Sequence, residues 1–131
     1  MTIRFLRRPL VEYLHRRQIE RFGGAMGLRD EGALESALAR PLNKVAYGCD
    51  DLAEIAAAYL FGLAKNHAFI DGNKRIAIVA TGVFLMDNGY EIAVDDGTLY
   101  EFVLGVAAGE IDEDGATRFL RDFTVPLPSG S

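Results

Sequence analysis

Residues 76–86, IAIVATGVFLM, constrain this chain more than any other stretch. Ile76, Val79, Ala80, Val83 and Phe84, with apolar residues between them, describe a helix with little polar surface. Such a helix is stable in water only when other elements cover it on most sides. Asn88 and Gly89 supply its C-cap. The residues just ahead of it, HAFIDGNKR, place a histidine, a carboxylate, a glycine, a lysine and an arginine at its amino end. The fold must therefore enclose one helix while leaving that end polar.

The rest of the chain supplies the cover. It has 131 residues, half of them apolar, which suits one domain with one core. Pro9 suits a first helical turn, and Leu10, Tyr13, Leu14, Ile19 and Phe22 continue an approximate 3.6 spacing as far as Gly23 and Gly24. Asp30 is an N-cap for a short helix carrying Leu34, Ala37 and Leu38 that ends near Pro41, and residues 40–50 read as a loop. Asp51 with Glu54 forms a capping box for a central third helix bearing Leu52, Ile55, Ala56, Tyr59, Leu60 and Leu63. After the apolar helix, residues 90–94 are briefly extended. Asp95 or Asp96 caps a helix with Leu99, Phe102, Val103 and Val106, and Asp112 caps a last one with Ala116, Phe119, Leu120 and Phe123. No pair of strands is convincing. The expectation is an all-α bundle of about six helices with a central buried helix following the motif loop, a single domain over residues 1–124 and a mobile tail over 125–131.

Several functions are disfavoured by composition. No stretch of eighteen apolar residues occurs and no export signal is evident, so a cytoplasmic protein without membrane partners is expected. One cysteine, Cys49, and two histidines cannot complete a four-ligand zinc site without carboxylates, and Cys49 reads as an ordinary small residue. Residues 1–48 hold nine basic and five acidic side chains, against a net charge of −5 for the whole chain. Arg16, Arg17 and Arg21 fit the solvated face of the first helix, with His15 beside them as a surface or half-buried residue. Direct DNA binding is not expected, because no polar recognition helix is evident. The acid run Glu110, Asp112, Glu113 and Asp114 fits helix capping and solubility.

The chemistry is concentrated in residues 67–75. A helix start presents unpaired N–H groups and a partial positive charge, which attract anions. Gly72 lets the backbone approach a ligand, and Lys74 and Arg75 add two cations suited to phosphate. The spacing is not that of a P-loop. Asp71 among these cations is either a counter-ion or a magnesium ligand. His67 is the nearby group whose ordinary pKa of about 6.5 suits proton abstraction at neutral pH. Each residue taken alone also fits a structural role: a hydrogen-bonded loop histidine, an N-cap, a turn glycine, a solvated first turn. Cations in a first turn oppose the helix dipole, however, and an apolar helix leaves them little solvent face. Physical chemistry alone points to an anion site and leaves storage and catalysis both open.

His67, Phe69, Asp71, Gly72, Asn73 and Arg75 resemble the signature of the Fic family, His-x-Phe-x-Asp/Glu-Gly/Ala-Asn-Gly/Lys-Arg. Lys74, where adenylyl-transferring members have a second glycine, looks like the death-on-curing (Doc) branch, and RFGG, GLRD, AYG, NGY and AAGEID are similar to that branch outside the motif. The resemblance implies an all-α Fic fold. It makes His67 the general base for a Ser or Thr hydroxyl of a target protein, Asp71 the magnesium ligand and Phe69 the core anchor. Gly72, Asn73, Lys74 and Arg75 then hold the phosphates of ATP, with Lys74 and Arg75 counted with His67 in catalysis.

The implied role is that of a bacterial, cytoplasmic growth-inhibiting toxin. It would act on a translation elongation factor and pair with an antitoxin that lays a helical segment over the active-site groove. Ile78 stands where adenylylating members carry another arginine, which with Lys74 favours transfer of the γ-phosphate. Gly72, where alanine is familiar in the toxin branch, is the feature shared with transfer of AMP. Adenylyl transfer and an inactive binding module are the alternatives. Residues 40–50 are expected beside the site, holding the target segment.

Overall fold

A computed structural model describes residues 2–128. Six helices follow one another: α1 (Arg8–Phe22), α2 (Glu31–Ala46), α3 (Leu52–Lys65), α4 (Asn73–Asp87), α5 (Asp96–Ala107) and α6 (Glu113–Phe123). Two short strands, β1 (Tyr90–Ile92) and β2 (Thr124–Pro126), complete the order. The expected all-helical bundle is present, and its hub is α3. Ten of its fourteen residues are buried, and it packs against α2, α4, α5 and α6. Small residues make this possible: Ala56, Ala57 and Ala58 are fully enclosed, and an added Cβ at Gly62 would lie 3.1 Å from Ala37 Cα of α2.

Helix α4 lies against α3 with Ile76, Ala77, Ala80, Thr81, Phe84 and Leu85 buried. Ile78, Val79 and Val83 are half-buried and Met86 is exposed, so one side of this apolar helix is uncovered. Tyr59 of α3 packs on Phe84 at 4.8 Å between ring centroids, and its hydroxyl accepts the backbone N–H of Leu6 at 2.9 Å. That bond ties the segment before α1 to the hub.

Three expectations are corrected. Helix α2 does not end near Pro41 but runs through it to Ala46, with Pro41 buried. A proline inside a helix removes one ladder bond and crowds the carbonyl four residues earlier. Contacts made beyond the proline offset that cost: Val45 packs against the core, and Lys44 pairs with Glu54 and Glu113. Residues 40–46 are thus helical and only 47–51 connect. The tail is not free from residue 125. Thr124–Pro126 pairs antiparallel with Tyr90–Ile92, and the N–H of Leu127 donates to Gly89 at 2.9 Å. Strands of three residues are too short for alternation to mark them. Residues 129–131 lie outside the described part.

The third correction concerns residues 40–50. Residues 44–50 pack against the start of α3, through Lys44 with Glu54 and Cys49 with Glu54, whereas the motif loop follows its end; only Arg40 reaches the later turns, over Phe61. Asn66 lies twelve helical steps beyond Glu54, about 18 Å. All of the expected flanking segment beyond its first turn is therefore at the other end of α3. Residues 23–30 take that place.

Candidate functional site

The loop between α3 and α4 is shaped by its own residues before anything binds. Asn66 caps α3, its N–H donating to Gly62, and its side chain donates to the Ala33 carbonyl at 3.0 Å. His67 comes next with φ +50, the only non-glycine residue with positive φ among the described residues, and its side chain is exposed. Non-glycine residues enter this region seldom, and surrounding contacts must hold them there. Those contacts come from Arg29, whose Nε donates to the His67 carbonyl at 2.6 Å and Nη2 to that of Asn66 at 3.4 Å.

Residues 23–30 run alongside. The N–H groups of Arg29 and Asp30 both donate to the Ala68 carbonyl, at 2.8 and 3.0 Å, and the N–H of Ile70 donates to Gly27 at 3.1 Å. Leu28 and Phe69 form an antiparallel bridge. Phe69 points inward, 2% exposed. Asn73, expected among the phosphate-holding residues, uses its whole side chain on the loop: Oδ1 accepts the Phe69 N–H at 3.0 Å and Nδ2 donates to the Phe69 carbonyl at 2.9 Å. What Asn73 can still offer an anion is its backbone N–H.

Gly72 has φ +76 and stands immediately before α4. A Cβ there would lie 3.2 Å from Ile19 Cδ1 of α1, in a conformation that side chains rarely adopt, so both the turn and the crowding require glycine. No side chain caps α4. Its first-turn N–H groups, from Asn73 to Arg75, face outward with the helix dipole behind them. Lys74 and Arg75 are both half-buried, and neither pairs with a carboxylate among the described residues. Arg75 instead lies over the Phe22 ring, 5.3 Å from its centroid, with Nη1 3.4 Å from the Gly23 carbonyl. A helix start with two unneutralised cations and open N–H groups can bind phosphate oxygens.

Asp71 is exposed. Its Oδ2 accepts the N–H of Ala25 at 2.8 Å, and Gly24 allows that approach, since a Cβ there would lie 3.3 Å from Asp71 Cβ. Oδ1 takes no hydrogen bond from the described residues. A divalent cation fits such a hard oxygen beside a phosphate site. Among the described residues no three His, Cys, Asp or Glu side chains converge, so further ligands would be phosphate oxygens and water.

The sequence-predicted residues His67, Asp71, Gly72, Lys74 and Arg75 thus occupy one loop and one helix start. Ile78, on the next turn, lines a mainly apolar cleft of ≈ 550 Å³ with Phe22, Arg75, Val79, Leu99 and Tyr100. His15 is the residue near the site that was not foreseen. It was expected at or near the surface, and it is 2% exposed, its Nε2 2.7 Å from the Asp71 carbonyl and its ring stacked on Phe69 at 3.8 Å. Burial, reinforced by the charge of Arg75 and opposed by the Asp71 carbonyl, holds its pKa below the ordinary histidine value. The signal was its place midway between buried Val11 and Ile19, four residues from each, on the inner stripe of α1.

The model of the Fic/DOC family matches residues 5–85 of the chain. The protein kinase doc of Escherichia phage P1 is 38% identical over 109 residues, which cover 82% of this chain and 86% of that protein. The toxin Doc of Mycolicibacterium smegmatis (strain ATCC 700084 / mc(2)155) is 38% identical over 131 residues, covering 92% of this chain and all of that protein.

Proposed function

Since the chain belongs to the Fic/DOC family, we propose that it is the toxin of a toxin–antitoxin pair. In this reading it transfers the γ-phosphate of ATP to a Ser or Thr hydroxyl of a target protein, a translation elongation factor. The observation that carries this is the uncapped start of α4, with Lys74 and Arg75 unneutralised and Asp71 and His67 in the loop that leads into it.

The step divides among this chain's own groups. The phosphates lie against the N–H groups of Asn73, Lys74 and Arg75, with the Lys74 ammonium and Arg75 guanidinium as counter-charges. Asp71 Oδ1 is the protein's ligand for Mg²⁺, which when bound neutralises phosphate charge. The imidazole of His67 accepts the proton of the target hydroxyl. That oxygen forms a bond to the γ-phosphorus while the bond from phosphorus to the β,γ-bridging oxygen breaks, and ADP leaves with the electron pair.

The choice of γ-phosphate over AMP rests on what surrounds α4. A γ-first pose needs its cations in the first turn, where Lys74 and Arg75 are, and no cation contributed one turn later, where Ile78 stands in a cleft whose one cationic side chain is Arg75 itself. Gly72, the feature shared with AMP transfer, has a local reason in its φ and in the contact with Ile19. The same cleft, bordered by Phe22 at 56% and Tyr100 at 45% exposed, is the surface an antitoxin segment would cover.

The test is substitution. His67→Ala removes an exposed side chain and should leave the thermal midpoint nearly unchanged while abolishing transfer to translation factors. Lys74→Ala should weaken ATP binding by roughly tenfold, the worth of one charge-assisted bond. Transfer at the parent rate by His67→Ala would remove the base assignment.

A further inference from the structure

His15 is outside the motif, on a different helix, and its buried side chain touches the motif loop at two places. Its ring lies parallel to Phe69, 3.8 Å between centroids and 14° between planes. Its Nε2 lies 2.7 Å from the carbonyl oxygen of Asp71. A carbonyl only accepts, so Nε2 carries the hydrogen and the neutral ring is the Nε2–H tautomer. The edge of the ring also abuts Gly72, where an added Cβ would stand 3.6 Å from Nε2. The charged groups facing it are Asp71 and Arg75.

That carbonyl belongs to the peptide joining Asp71 to Gly72. On one side of this peptide is the carboxylate, itself held by Ala25 at 2.8 Å, and on the other the open N–H groups of α4. A carboxylate that must meet a cation while adjacent N–H groups meet phosphates needs both in fixed relation. Hydrogen bonds to the groups that carry metal ligands commonly set that relation. Gly72 alone cannot, since glycine is the residue with most backbone freedom.

We propose that His15 is a positioning residue for the transfer reaction: its Nε2–H and its stacked ring fix the Asp71–Gly72 peptide, holding the Asp71 carboxylate and the phosphate-binding end of α4 in one arrangement. This rests on the function proposed above.

Two substitutions separate the donor from the ring. His15→Phe keeps an aromatic plane against Phe69 and deletes the donor; His15→Gln returns an amide N–H at the Nε2 position. Binding of Mg²⁺ with a non-hydrolysable ATP analogue is measured by calorimetry, with thermal midpoints recorded alongside. His15→Phe should bind about 10- to 100-fold more weakly than the parent, and His15→Gln should recover most of that loss. Phe binding as tightly as the parent, or Gln binding as weakly as Phe, would overturn the proposal.

Should His15→Phe fail to fold, the ¹⁵N spectrum of the parent's imidazoles decides: the Nε2–H tautomer at His15 is expected, and Nδ1–H alone overturns the clasp. A parent that binds no magnesium nucleotide would overturn the proposed function itself. The nitrogen spectrum, which needs no nucleotide, distinguishes that failure from a failure of the clasp.

Discussion

Cys49 donates its thiol to Glu54 Oε2 at 2.7 Å, just before α3. Burial first, and then that carboxylate, push its pKa above the ordinary thiol value. Only the thiolate is nucleophilic, so a thiol that keeps its proton is inert at neutral pH. The folded pKa being the higher, the contribution to stability is present below the unfolded thiol's pKa and is lost as pH rises through the folded value. Alkylation of the native protein at pH 8 should therefore run slower than that of the urea-unfolded chain, and Glu54→Gln should narrow the gap. Equal rates in both states, read by mass spectrometry, would contradict the hydrogen bond. At this scale the sequence was legible where residue types are out of place: Lys74 and Arg75 at a helix start, Asp71 among cations. His15 was illegible because an imidazole serves equally well at a surface. Only its register with Val11 and Ile19 set it inward. The amide of Asn73 could have faced ligand or loop, and the loop's unpaired Phe69 backbone takes it.

Among the elements, α3 fixes where everything else lies. Its C-cap begins the motif loop, its body carries α4, and its Tyr59 hydroxyl holds the segment before α1. Tyr59→Phe keeps the ring against Phe84 and leaves the Leu6 N–H buried without an acceptor. Urea unfolding should show a loss of about 1–3 kcal/mol with an unchanged m-value; a loss within error of zero would mean that the N–H finds water. Helix existence followed from apolar periodicity and from Asp30, Asp51, Asp95 and Asp112, each of which caps its helix, although the box expected of Asp51 with Glu54 does not close because Glu54 takes Cys49 and Lys44 instead. The end of α2 did not, since the contacts beyond Pro41 are tertiary, with Lys44 pairing to Glu54 of α3 and to Glu113, which is distant in sequence. Nor did β2, whose partner precedes it by more than thirty residues.

For the whole molecule, the six-helix bundle was readable because apolar stripes at helical spacing leave few alternatives. The neighbours of the site were not. Which loop flanks the motif depends on how α2 runs along α3, and periodicity carries no direction. Residues 23–30 turn out to brace His67 through Arg29 and Asp71 through Ala25, so the scaffold around the proposed chemistry comes from the first third of the chain. In the proposed reaction this scaffold presents the γ-phosphate, and not the α-phosphate, to a protein hydroxyl. That presentation is tested most directly by incubating the purified protein with Mg²⁺, bacterial translation factors and ATP labelled at either the α or the γ position. Label from the γ position alone, on a Ser or Thr of the elongation factor and absent with His67→Ala, is the predicted result; label arriving from the α position would contradict it.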